Sequence, residues 1–314
     1  ASAALPNGAW LLGGGWDHSL WGGHWPRAAD LDAIIPERPV LLLRKDGHSA
    51  WANSHALQLA GIDESTPDPA GGTIQREKQQ ATGILLENAI DLVRAHIPPA
   101  TLAERLHALR AATVEAHSYG MAGIHIPPGL TAGDGAHVLR DIQALRESGN
   151  LGLRCLVHIG LDTLDDALRM GLRSGLGDRW LRIGGVKMFA DGSLGSETAE
   201  MLVHYEGRRH FGVATMETDA LNEAVERALA GGLALPIHAI CAAAQRRVLD
   251  ALERATQLQA AHAEQTGHAT PPPNAQPLAP GALALPNRIE HCQIVHPHDV
   301  PRFAQLGVVA SMQP

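Results

Sequence analysis

The strongest constraint on this chain is a rhythm that begins near residue 101. Short, almost wholly apolar runs alternate with stretches of helical periodicity. The runs are M121-A-G-I-H-I126, L153-R-C-L-V-H-I159, L181-R-I-G-G-V-K-M-F189, L233-A-L-P-I-H-A-I240, N287-R-I-E-H-C-Q-I294, and the one from Gly307 through Val308, Val309 and Ala310 to the chain end. A strand with one wet face alternates polar and apolar residues, whereas one that is apolar throughout is covered on both faces, as in parallel sheets joined by helices. The helices between them are also legible. Thr101 and Glu104 form a capping box ahead of Leu102, Leu106 and Leu109. Asp219 reads as the cap of a helix with Leu221, Ala224, Val225, Ala228 and Leu229 on one face, closed by Gly231-Gly232. Other helices are expected at about 136–147, 163–174, 242–256 and 299–306. Six strands alternating with helices define an α/β chain, which a doubly wound sheet and a (β/α)8 barrel both accommodate. The polar residues favour the barrel. His125, His158, Lys187, His238 and His291 stand at or near the C-terminal ends of successive strands, and in a barrel those ends converge on one mouth.

Lys187 is the least expected of these. It stands between Val186 and Met188, where an unpaired ammonium is costly enough to deprotonate, pair with an anion or bind something. Of the 25 lysines and arginines, only Lys45, Lys78 and Lys187 are lysine. A lysine here points to amine chemistry that an always-protonated guanidinium cannot supply. Taken with His238 and His291, which end the next two strands, it suggests a metal centre, because neutral imidazoles ligate zinc and related ions. Lysine can join them once carbamylation by carbon dioxide turns it into a carboxylate-like group able to bridge two ions. The competing reading keeps Lys187 as a Schiff-base nucleophile and leaves both histidines without a role. Cys241 and Cys292 read as packing, since strand alternation turns Cys292 away from His291.

Seven motifs follow one another along the chain: G15-W-D17, D46-G-H-S-A-W-A-N-S-H-A-L57, T82-G-I-L-L-E87, V186-K-M-F-A-D-G-S-L-G195, H238-A-I240, I289-E-H291 and the closing A-S-M-Q-P (Ala310 to Pro314). In this order they resemble the metal-dependent amidohydrolase superfamily, in particular amidohydrolase family 3, which includes N-substituted formamide deformylase-like enzymes. The resemblance implies a TIM-barrel hydrolase with one or two divalent ions, zinc expected, acting on amide-like C–N bonds of a small-molecule substrate. Lys187 matches the family's carbamylated lysine of barrel strand four, His238 its strand-five ligand and His291 its strand-six ligand. The six strands are then barrel strands two to seven. The family's strand-one H-x-H would precede residue 1, and its strand-eight aspartate, the usual general base, would follow Pro314. The barrel is therefore expected to be incomplete and the segment alone inactive, which leaves a non-catalytic amidohydrolase fragment as a further alternative. Two departures stand out: Cys241-Ala242 replaces the family's G-D after H-A-I, and Ile126 replaces an aspartate. By motif match His48, Trp51 and Asn53 are candidate pocket residues. Asp191 is a candidate for orienting the site or substrate, or simply a turn former, and Tyr205 and His210 could line the mouth.

Composition excludes more than it assigns. A net charge of -8 argues against nucleic-acid and anionic-membrane partners. No window offers the ~18 uninterrupted apolar residues of a membrane span, and A1-S-A-A-L-P-N-G8 lacks the basic and apolar regions of a signal peptide. Three cysteines without a C-x-x-C pair fit a reducing, cytoplasmic compartment. A homo-oligomer is left open. Residues 1–100 are turn-rich, with tryptophans at 10, 16, 21, 25 and 51 and one strand-like run at 39–44, and read as a loop-rich cap or insertion beside the barrel mouth. Residues 101–314 read as the partial barrel, interrupted by an Ala/Pro/Gln-rich surface loop at about 257–286 whose His262 and His268 are there by composition.

Overall fold

The structure, a computed structural model, describes residues 8–128, 137–266 and 285–313. The chain divides into two compact units, Ala1–Pro99 with Asp191–Thr215, and Ala100–Ala190 with Met216–Pro314.

The first unit is built on a five-stranded sheet in the order β1-β2-β3-β5-β4: β1 (Leu11–Trp16), β2 (Val40–Arg44), β3 (Ser49–Ala52), β4 (Gly72–Glu77) and β5 (Gln80–Glu87). β1 and β2 are parallel and the other pairs antiparallel. Three short helices accompany it: α1 (Ala28–Asp32), α2 (Ser54–Leu59) and α3 (Ile90–Arg94). Its core gathers Leu41, Ala50, Ala52, Leu57, Ile74, Leu85, Ile90 and Val93. The sequence shows only one strand-like run here. β4 (G-T-I-Q-R-E) and the start of β5 (Q-A-T-G) hide the rest, because one polar, half-exposed face dilutes the apolar signal.

The second unit contains a six-stranded, all-parallel sheet. Along the chain run α4 (Leu102–Ser118), β6 (Gly123–Ile126), α5 (Val138–Glu147), β7 (Arg154–Gly160), α6 (Leu164–Arg169), β8 (Leu181–Phe189), α7 (Thr218–Ala230), β9 (Pro236–Ala239), α8 (Ala242–Thr266), β10 (Arg288–His291), α9 (Val300–Gln305) and β11 (Val309–Ser311). All six expected strands are present and lie side by side in chain order, β6 to β11. A doubly wound sheet reverses its order at a switch point; this one does not. The Thr101–Glu104 capping box is formed. Two helix boundaries differ from expectation. Glu217, not Asp219, caps α7, and Asp219 falls in its first turn. α8 runs past Thr256 to Thr266, since Gln257–Thr266 is rich in strong helix formers and the first breaker is Gly267. The remainder of the expected loop, 267–284, lies outside the described residues.

The core fixes which residues face away from it. Val186 and Met188 of β8, Ile237 and Ala239 of β9 and Ile289 of β10 pack with Leu221, Val225 and Leu229 of α7 and Val248, Leu249 and Leu252 of α8. Cys155 and Val157 of β7 pack in a second cluster, against which Ile124 and Ile126 of β6 also lie. Because strand side chains alternate, His125, His158, Lys187, Phe189, His238, Arg288 and Glu290 occupy the sheet's other face. Cys241 and Cys292 are fully buried.

Candidate functional site

On that face the last residues of β8, β9 and β10 form a row: Phe189 pairs with His238, and His238 with Glu290. The His238 and His291 rings meet edge to face with centroids 4.6 Å apart. His238 is buried, and its ring lies 5.3 Å from that of Phe189. The Lys187 ammonium, also buried, sits 4.3 Å from the centre of the Phe189 ring. Phe189 therefore touches both Lys187 and His238, and its π face partly compensates the desolvation of the amine. The structure brings the two expected histidines together and connects Lys187 to them through a phenylalanine to which the sequence assigned no role.

His291 ends β10 in an unusual conformation: it and Cys292 have φ of +78° and +47°. Two successive non-glycine residues in the left-handed region are costly, and such strain clusters at functional positions. Nδ1 of His291 lies 2.7 Å from Gln313 Oε1. An amide oxygen can only accept, so Nδ1 carries a proton; in the neutral ring Nε2 then holds the lone pair, the state of a metal-ligating histidine whose other nitrogen is held by a neighbour. Donor chemistry at the strand ends thus fits a divalent ion: two imidazoles in contact, one with its tautomer set, and a buried amine. Among the described residues no three His, Cys, Asp or Glu side chains form a group able to hold a metal. On the same face His158 and His125 form a second imidazole pair, with His158 Nε2 3.4 Å from His125 Nδ1.

The remaining candidates belong to the first unit, where they form a polar network. His48 is buried, and its Nδ1–H donates to Glu87 Oε2 at 2.8 Å. Glu87 Oε1 accepts from the Thr198 hydroxyl at 2.5 Å. Burial alone would push the His48 pKa down. The Glu87 hydrogen bond and the charges of Glu87, Asp46 and Asp191 outweigh it and raise the pKa, which favours the protonated ring. Asp46 accepts from Ser193 at 2.7 Å and from Ser196 at 3.1 Å and pairs with Arg44 at 2.5 Å. Burial pushes its carboxyl up, but these partners hold it below the usual range. Arg44 also bonds Asp17 at 2.8 Å. The D191-G-S193 turn closes the network. Asp191 Oδ2 accepts from Glu200 N at 2.9 Å, Ser193 reaches Asp46, and a Cβ at Gly192 would overlap the Glu87 carboxylate and Thr198 hydroxyl.

Asn53 is buried and spends its side chain on backbone. Oδ1 accepts from Val40 N and Ala56 N, both at 3.0 Å, and Nδ2 donates to Ile35 and Arg38 carbonyls at 3.1 and 2.8 Å. It caps α2 and ties it to β2. Trp51 donates to the Arg27 carbonyl at 2.8 Å and meets Trp16 edge to face. Tyr205 donates to the Ala199 carbonyl at 2.9 Å and stacks on His210. Sequence reasoning passed over Arg44, Asp46, Glu87, Thr198 and Gln313. Asp46, Glu87 and Gln313 stand inside the quoted motifs, which was the available signal.

These observations define a class: an α/β chain whose parallel strands, in chain order, carry a buried lysine and paired histidines on the face opposite the helices. The chain belongs to the Amidohydrolase family, whose sequence profile matches residues 1–314, as the resemblance of the seven motifs implied. It is 34% identical over 315 residues to Protein LONG AFTER FAR-RED 3 of Arabidopsis thaliana, covering 98% of this chain and 50% of that protein. It is 29% identical over 313 residues to amidohydrolase YtcJ of Bacillus subtilis (strain 168), covering 99% of this chain and 54% of that one. A crystal structure of a metal-dependent hydrolase from Pyrococcus furiosus superposes with a TM-score of 0.64 at 28% identity, over 97% of this chain and 56% of that one. The chain thus spans about half the length of the curated relatives it matches. Among the described residues no helix is long and apolar enough to cross a membrane.

Proposed function

We propose that this chain carries metal-binding residues of a hydrolase that cleaves amide-like C–N bonds of small molecules, with Lys187, His238 and His291 as the ligands it supplies. In this reading its parallel sheet forms strands two to seven of a (β/α)8 barrel. The contact between His238 and His291, with the His291 tautomer fixed by Gln313, is the observation that carries the proposal. Family membership and the likeness to the Pyrococcus hydrolase support it. A bound divalent ion, zinc by the imidazole-rich donor set, would acidify a water and polarise the scissile carbonyl. The protein's own work is to desolvate and orient. Phe189 and the β8 core keep water from the Lys187 amine, which becomes an anionic donor on carbamylation. The strained end of β10 aims His291, and Gln313 holds its proton on Nδ1. In the first unit, the His48–Glu87 pair and the Asp191 turn form a buried polar network of their own.

Metal analysis of the purified protein with and without bicarbonate tests the ligand set. Wild type should take up more metal with bicarbonate. Lys187→Arg, which keeps charge but cannot be carbamylated, should not respond, and His238→Ala should lose metal in both conditions. Equal metal content in wild type and Lys187→Arg, with circular dichroism showing both folded, would overturn the assignment.

A further inference from the structure

A cavity of about 410 Å³ opens where β6, β7 and β8 begin, and is lined by His125, Ile124, Leu156 and the arginines Arg154, Arg179 and Arg182, with Asp178 beside them. A neighbouring cavity of about 390 Å³ shares Arg154 and Arg179 and adds Met121 and Trp180. Three guanidinium groups against one carboxylate form a strongly positive spot in a chain of net charge -8. The carboxylate is already engaged: Asp178 accepts the backbone N–H groups of Trp180 and Leu181 at 2.8 and 3.1 Å and pairs with Arg146. Arg154 and Arg182 use only Nε, toward the Ala122 and Asp178 carbonyls, and Arg179 lies 5.6 Å from the Trp180 ring centre. Among the described residues, the terminal nitrogens of these three arginines make no hydrogen bond.

His125 adds a donor whose state is set by the backbone. Gly185 N–H donates to His158 Nδ1 at 2.9 Å. That nitrogen is therefore unprotonated, and the proton of a neutral His158 sits on Nε2, which faces His125 Nδ1. His125 Nδ1 thus accepts, and the His125 proton is placed on Nε2. Its ring makes no other hydrogen bond among the described residues. Burial pushes His158 down to about 3 and lowers His125, so both rings are neutral at pH 7. Gly184 leaves the room this needs, because a Cβ there would overlap the His158 imidazole.

We propose that this cavity binds an organic oxyanion, a carboxylate or phosphate group on an apolar body, with Arg154, Arg179 and Arg182 supplying charge and His125 Nε2–H a neutral donor. Guanidinium forks match both oxyanions in geometry, and Leu156, Ile124, Met121 and Trp180 provide apolar contact for the body. None of the residues lining it is one of the proposed ligands Lys187, His238 and His291. Isothermal titration of the 314-residue protein at low salt with benzoate, phenyl phosphate and neutral benzyl alcohol tests it without reference to activity. At least one anion should bind, benzoate marking a carboxylate ligand and phenyl phosphate a phosphate, and benzyl alcohol should not. Arg154→Met and Arg179→Met should each weaken binding by ~10-fold or more, and added salt should weaken it further. His158→Gln, whose amide can accept from Gly185 and donate to His125, should bind like wild type, whereas His158→Leu should not. Equal binding of benzyl alcohol, affinity unchanged in the arginine variants, or no heat from either anion at millimolar concentration with the protein folded would each overturn the proposal.

Discussion

Replacing Glu87 by glutamine keeps the side chain's size and removes its charge, and the structure specifies what is lost. Glu87 is buried and accepts from both His48 Nδ1 (2.8 Å) and Thr198 Oγ1 (2.5 Å). Glutamine has one acceptor oxygen, so its amino group must face either the imidazolium or the threonine hydroxyl. At least one charge-assisted bond becomes neutral or is broken, for an expected loss of ~1–3 kcal/mol. The loss should depend on pH with a definite sign. The folded-state pKa of His48 is raised, so stability from the ion pair is fully present below the unfolded value of about 6.5 and fades as pH climbs through the folded value. The deficit of Glu87→Gln should therefore be largest near pH 6 and shrink toward pH 9. Urea unfolding followed by tryptophan fluorescence is the assay, because Trp10, Trp16, Trp21, Trp25 and Trp51 all lie in the first unit and only Trp180 does not. A deficit independent of pH, or one below ~0.5 kcal/mol, would refute the ion-pair reasoning.

Asn53→Ala should cost ~2–4 kcal/mol by the same assay, since it removes a helix cap and strands the backbone groups that Asn53 satisfies. Burial pushes the Cys155 thiol up to about 11 and that of Cys292 to about 12, so neither should be alkylated by iodoacetamide in the native protein at neutral pH. Peptide mass spectrometry should find both labelled only in urea. Gln313→Leu frees the His291 tautomer and should lower zinc affinity by ~10–100-fold in a competitive chelator titration. Unchanged affinity would remove Gln313 from the proposed site.

How much was legible follows from burial. The strands of the parallel sheet are covered by helices on one face, and β6 to β10 carry polar side chains toward their tips on the other. Their apolar runs and terminal polar residues are therefore both visible without coordinates, and L181–F189 was read at its observed bounds. The first unit offered no such signal. β1 is L-L-G-G-G-W, and β3 is only four residues long. Its order comes from a polar network whose members look locally like turn formers. Asp46 is separated from Ser193 and Ser196 by about 150 positions in sequence, yet both serines share one of its carboxylate oxygens. Pairings over that distance leave no periodicity to read, and only the motif resemblance singled out part of the set.

The motif V186-K-M-F-A-D-G-S-L-G195 shows what this means for interpreting substitutions. The boundary between the units falls between Ala190 and Asp191. Val186 and Met188 are core residues of the second unit, and their burial is what turns Lys187 and Phe189 to the opposite face. Asp191, Gly192 and Ser193 belong to the first unit and complete its network through Glu200, Glu87 and Asp46. One contiguous stretch therefore performs two separable physical tasks. Residues before the boundary need β-sheet alternation and an apolar cover, while those after it need a tight turn, a missing Cβ and hydroxyl donors. Val186→Ala leaves a hole among the β8 and α7 side chains and should be felt as lost packing in the second unit. Gly192→Ala strikes the Glu87–Thr198 contact instead and should be felt as lost hydrogen bonding in the first. Sequence proximity within the motif is thus no guide to which property a substitution will change; the unit to which the residue belongs is.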